Sequence, residues 1–108
     1  MIVEMRVYHC LPGRLPALNE RFSKSTLGFF QKYGITPIGF WTTLIGPSNH
    51  ALTYLLQWES LEERERKWNA FQADPEWIAA RAASEAEKPI VERIESSILT
   101  PTEYSALR

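Results

Sequence analysis

The chain is poor in the residues on which most simple site chemistries depend. Among its 108 residues are one cysteine, Cys10, and two histidines, His9 and His50. A lone thiol forms no internal disulfide. Neither imidazole has a second histidine or carboxylate at metal-ligand spacing, and there is no CxxC pair, so no metal site is expected. Of the five glycines, Gly13 and Gly46 belong to turns. No GxGxxG or GK[ST] run is present, so no nucleotide is expected and the cofactor expectation is none. Twelve basic residues face thirteen acidic ones for a net charge of -1, without a basic block. An affinity driven by phosphate charge therefore has little to act on, and nucleic acid is not an expected partner. No apolar run approaches the roughly 20 residues that span a bilayer, so membrane insertion is not expected. Residues 1–6 lack the charged and apolar regions of a secretory signal, and the expected location is cytoplasmic.

What the chain does contain is organised around residues 46–77, GPSNHALTYLLQWESLEERERKWNAFQADPEW. Gly46-Pro47-Ser48-Asn49 is turn chemistry, and the apolar, aromatic run 51–58 is too short for a buried helix and reads as a strand. Ser60, three residues before Glu63, forms a capping box. The helix it opens carries Leu61, Trp68 and Phe71 on one narrow stripe. Asp74-Pro75 then pairs an N-cap with a preorganised first helical residue, restarting a helix at a bend.

Before that stretch, Val3, Met5, Val7 and His9 alternate with Glu4, Arg6, Tyr8 and Cys10, the period of a strand. Leu15, Leu18, Phe22, Thr26, Phe29, Phe30 and Tyr33 recur at helical spacing, and Gly34 ends that helix. Residues 38–45, IGFWTTLI, form a hairpin with the 51–58 strand. Helices run from 61 to about 88, Pro89 stops them, and residues 90–99 alternate again as a strand. One domain over residues 1–108 is expected. The order βαββαβ with right-handed crossovers predicts an α+β, ferredoxin-like fold with a four-stranded antiparallel sheet in strand order 4-1-3-2. The helices are expected over the Val3, Met5, Val7 face. Glu4, Arg6 and Tyr8, beside Arg93 and Glu95, then lie on a face that a second copy would cover.

Three segments carry a resemblance: a strand IVEMRVYHCLPG, a hairpin GFWTTLIGPSN and a helix WESLEERERKWNAFQADPEW. In this order and spacing they resemble the NIPSNAP family over nearly the whole chain. The resemblance implies a dimeric α+β barrel, two ferredoxin-like subunits packed sheet to sheet with helices outside. That superfamily also includes cofactor-free monooxygenases and haem enzymes, so the fold selects no chemistry. A stand-alone bacterial-type domain is the form this chain resembles most.

The candidate catalytic residues are Tyr8, Tyr54 and His9, two phenols and an imidazole able to move a proton. The candidate substrate-binding residues are Arg6, Trp41, Asn49, Trp68 and Trp77. Arg6 leads them for contact with an anion, and the tryptophans for an apolar wall. Each has a plainer role to weigh against this: Glu4 and Arg6 as a salt network with Arg93 and Glu95, the aromatics as core, His50 as a solvated turn residue, and the Glu62–Lys67 charges as a wet helix face. His9 is expected on the helix-facing side at a strand end.

The function that fits these residues is a homodimeric domain that binds a small apolar or aromatic ligand, or acts on it without a cofactor. The alternative is a non-catalytic module that presents its 61–88 helices to another protein. A concave pocket holding an isolated polar group separates the first from the second, which requires a filled core and an exposed aromatic patch.

Overall fold

The computed structural model describes residues 1–108. Its elements run β1 (Ile2–Cys10), α1 (Leu15–Arg21), a π-helical turn over Phe22–Thr26, α2 (Leu27–Lys32), β2 (Thr36–Thr42), β3 (Ala51–Trp58), α3 (Leu61–Ala73), α4 (Pro75–Ser84) and β4 (Val91–Leu99). The strands form one antiparallel sheet in the order β2-β3-β1-β4, the expected ferredoxin-like topology. Three boundaries differ from the sequence reading. The second strand starts at Thr36 and ends at Thr42, leaving Leu44 and Ile45 almost wholly exposed in the connection. α4 stops at Ser84, short of 88. The first helix contains a π turn, so its register shifts midway instead of running unbroken.

The sheet faces are reversed from expectation. Glu4, Arg6, Tyr8 and Cys10 are buried under the helices, whereas Met5, Val7 and His9 are only half-buried on the open face. The reason lies in the neighbouring strands. Cross-strand register pairs Glu4 with Leu56, Arg6 with Tyr54 and Tyr8 with Leu52. These three β3 residues, with Trp58, are the most apolar and aromatic set available, and all four are at most 3 % exposed. Burial of this area outweighs placing the polar β1 residues outside, because those residues are satisfied internally. On the open side Val3 pairs with Leu99, Met5 with Leu55, Val7 with Thr53 and Glu95, and His9 with Arg93. Arg93 and Glu95 are therefore not neighbours of Arg6, and the expected network among them is absent.

The local signals of the helices largely hold. Ser60 Oγ accepts from the Glu63 amide at 3.1 Å, and Glu63 Oε1 accepts from the Glu59 amide at 3.4 Å. Asp74 Oδ1 accepts from the amides of Glu76 and Trp77, capping α4. Its other oxygen accepts from Lys32 Nζ at 2.7 Å and from the Tyr33 hydroxyl, tying the end of α2 to the α3–α4 bend. Hydrogen bonds from Lys32 and Tyr33, opposed by burial, hold the Asp74 carboxyl well below the usual range. Gly34 takes φ +68, the left-handed geometry of a helix terminator, and its carbonyl accepts from Lys67 Nζ at 2.9 Å. Leu61 lies outside the buried stripe, exposed at the start of α3. Trp68 and Phe71 instead join Phe30, Tyr54 and Trp77 in the core.

Candidate functional site

Glu4 is completely buried in the middle of β1 and is the most heavily bonded group in the chain. Oε1 accepts from Trp58 Nε1 at 3.0 Å and Arg64 Nε at 2.8 Å. Oε2 accepts from Arg6 Nη1 and Arg64 Nη2, each at 3.1 Å, and from Ser96 Oγ at 2.6 Å. Burial alone raises a carboxyl pKa. Here the Arg64 and Ser96 hydrogen bonds and the charges of Arg64 and Arg6 overcome it, and Glu4 falls from 4.5 to about 2. Glu4 is thus a fixed anion that holds Arg6 in place.

Arg6 distributes its donors over three partners: Nη1 to Glu4, Nε to the Tyr54 hydroxyl at 2.9 Å and Nη2 to the Tyr8 hydroxyl at 3.3 Å. The two phenol oxygens are themselves 3.1 Å apart and hydrogen-bonded. The guanidinium carbon stacks 4.5 Å from the centre of the Trp68 ring, an orientation that favours the cation. Burial disfavours the charged guanidinium, but Tyr54, Tyr8 and Glu4 together raise its pKa further. Burial, reinforced by Tyr8, pushes the Tyr54 phenol well above its ordinary value, so Tyr54 stays protonated.

Of these groups, Arg6, Tyr8 and Trp68 form the floor of a cavity of about 360 Å³ between sheet and helices. Arg6 and Tyr8 come from β1, Arg21 from α1, Trp68, Asn69 and Gln72 from α3, Trp77 and Arg81 from α4, and Ile94 from β4. Three arginines and no carboxylate line it, in a chain whose net charge is -1. The side chain of Arg21 is 5 % exposed. Its Nη1 donates to Ser84 Oγ at 3.2 Å and lies 3.8 Å from Glu85, but its buried Nε has no acceptor. Trp77 Nε1, also buried, has none either. The Arg21 guanidinium stands 5.9 Å from the Trp77 ring centre, so both unpartnered donors belong to neighbouring residues of one cavity wall. Burial lowers the Arg21 pKa, as does the charge of Arg81, and Glu85 opposes the shift.

Of the residues chosen from sequence, the cavity unites Arg6, Tyr8, Trp68 and Trp77, with Tyr54 directly behind them. It does not include the rest. Trp41 is half exposed on the open sheet face, folded over Gly39, where a Cβ would meet its ring at 2.8 Å. Asn49 is exposed in the β2–β3 connection. His9 lies on the open face instead of the helix side, with Nε2 3.3 Å from Glu95 Oε2 but without hydrogen-bond geometry. The register reversal that buried Glu4 carried His9 outward. Sequence reasoning missed Arg21, Asn69, Gln72, Arg81 and Ile94. Arg21 had a detectable signal, since it sits one residue from Phe22 on the apolar stripe of its helix. The remainder meet only through tertiary packing. No group of three or more histidine, cysteine or acidic side chains is arranged to hold a metal ion.

Residues 3–106 match the NIPSNAP family. A NIPSNAP family protein from Agrobacterium tumefaciens is 25% identical, with a TM-score of 0.88 over 99% of this chain and 98% of its own. A NIPSNAP-like domain protein from Burkholderia xenovorans is 29% identical, with a TM-score of 0.85 over 96% of this chain and 87% of its own. A more distant structure, a MhuD mutant with two manganese protoporphyrin IX molecules bound per active site, shares the fold at 17% identity and a TM-score of 0.62, over 94% of each chain. No curated protein matches the sequence significantly.

Proposed function

The chain belongs to the NIPSNAP family, and on that footing we propose that it is a homodimeric small-molecule domain whose cavity binds an organic carboxylate with an apolar or aromatic body. The observation that carries this reading is a cavity lined by three arginines, Arg6, Arg21 and Arg81, and by no acid. A guanidinium is geometrically matched to the two oxygens of a carboxylate, and three of them without an acid make the cavity attractive to an anion. Trp68 and Trp77 supply faces for the apolar part, and the cavity size fits a small ligand. The second copy would cover the open sheet face, where Met5, Val7, Leu55 and Leu99 lie together without a helix over them.

The test is a titration of the purified protein with 3-phenylpropionate, followed by tryptophan fluorescence, alongside native mass spectrometry of protein taken directly from its host. Saturable quenching is expected, with affinity falling by about tenfold or more in Arg21→Gln, since a charge-assisted fork is lost. Absence of binding by the folded parent, together with a ligand-free mass spectrum, contradicts the reading.

A further inference from the structure

We infer that the ligand carries a second oxygen besides its carboxylate, in an oxo or enolate group, and that the Tyr8 hydroxyl donates a hydrogen bond to it. The inference rests on the carboxylate cavity proposed above and identifies which carboxylates fit it best. Its basis is a count of protons. Arg6 has donors only, and it donates to both phenol oxygens, Nε to Tyr54 and Nη2 to Tyr8. The two hydroxyls share one hydrogen bond, at 3.1 Å. Two phenolic protons are therefore present and only one can lie between the oxygens.

The other proton must find an acceptor elsewhere. If Tyr8 donated to Tyr54, the Tyr54 proton would be stranded, because Tyr54 is wholly buried and its oxygen has no further partner. With Tyr54 as donor, the leftover proton belongs to Tyr8, whose side chain lines the cavity. The Tyr8 oxygen already accepts from Arg6 and Tyr54, and no protein group accepts from it in return. Its missing partner is thus an acceptor within the cavity, backed by the charge of Arg6. A simple carboxylate satisfies the Arg21 side and leaves Tyr8 unpaired. An oxo acid satisfies both, and its enolate form, whose oxygen carries more negative charge, gains more from a donor backed by a cation. Tyr54 is the positioning residue in this scheme, since it fixes which way the Tyr8 proton points.

The test compares phenylpyruvate with 3-phenylpropionate, two acids of one carbon skeleton that differ in the 2-oxo oxygen. The native protein should bind phenylpyruvate about tenfold more tightly, the effect of one additional well-placed hydrogen bond. Tyr8→Phe should remove that preference, bringing the affinities of the two acids to within about twofold of each other, and Arg21→Gln should weaken both acids alike. Equal native affinities overturn the inference and leave the carboxylate cavity standing; this comparison needs no variant to fold. Equal weakening of both acids by Tyr8→Phe also overturns it. Failure of both acids to bind the folded native protein instead removes the carboxylate reading on which it rests.

Discussion

Arg64, on α3, grips Glu4, on β1, with two parallel hydrogen bonds, Nε to Oε1 at 2.8 Å and Nη2 to Oε2 at 3.1 Å. The pair joins a helix to the centre of the sheet across 60 residues of sequence. It also completes the shell of donors that lets a carboxylate lie in the core, and Glu4 in turn orients Arg6 towards the phenols. Packing of the helix and preparation of the cavity floor therefore depend on the same buried ion cluster.

Acid should unfold the protein through Glu4. Its pKa is lowered from 4.5 to about 2, so the native state favours the charged form more than the unfolded chain does. Stability from this group is fully present above pH 4.5 and is lost as pH falls towards 2. The loss amounts to about 3 kcal/mol at the low end. Urea midpoints measured between these pH values should fall, and the fall should flatten in Glu4→Gln, which starts less stable but has no proton to gain.

Removing Arg6 should damage the fold itself, not an interface, because the residue lies beneath α3 with its guanidinium against Trp68. Arg6→Ala leaves Glu4 one cation short and takes the guanidinium donor from both phenol oxygens, a loss of about 3 to 5 kcal/mol by denaturant unfolding. Arg66→Ala is the comparison: that side chain is exposed and pairs only with Glu62 one turn away, so the change should stay within about 0.5 kcal/mol.

Trp68 should be a stability residue and a binding residue together. It packs 5.2 Å from the Phe71 ring and 6.1 Å from the Phe30 ring while also lining the cavity. Trp68→Ala is expected to cost about 3 to 5 kcal/mol. Melting within a few degrees of the parent would mean that α3 is held by its ion pairs instead. Trp68→Phe should restore most of the stability while still weakening ligand binding.

Topology, strand order and helix caps were legible because each depends on near neighbours: alternation in residues 2–10, Ser60 before Glu63, Asp74 before Pro75. The sheet faces were not, since the choice between two alternating sets on β1 depends on what β3 and α3 bring opposite them. Sequence alone made Glu4 and Arg6 costly to bury. That cost disappears only when Arg64, Trp58 and Ser96 arrive from distant parts of the chain. The cavity was half legible for the same reason: its aromatics announce themselves by size, whereas Arg21 and Arg81 resemble ordinary surface charges until the fold brings them together.

The proposed dimer gives the last prediction, and the reversed faces change where it should be tested. The uncovered face now carries Met5, Val7, Leu55 and Leu99 beside His9, Thr53, Arg93 and Glu95, in place of the Glu4, Arg6, Tyr8 set that the sequence had placed there. Leu99 is 42% exposed and pairs with Val3, so Leu99→Lys adds a charge to that surface without touching the core. If two sheets pack face to face, the lysine would be buried against apolar partners, and sedimentation at micromolar concentration should shift from two subunits to one, with far-UV circular dichroism unchanged. Ile78→Lys, on the outer side of α4 at 46% exposure, makes the matching change on the helical surface. It should leave the dimer intact. The converse pattern, dissociation by Ile78→Lys and none by Leu99→Lys, would place self-association on the helices. A parent that sediments as a monomer removes the dimer altogether; the cavity, built within one chain, would still be complete.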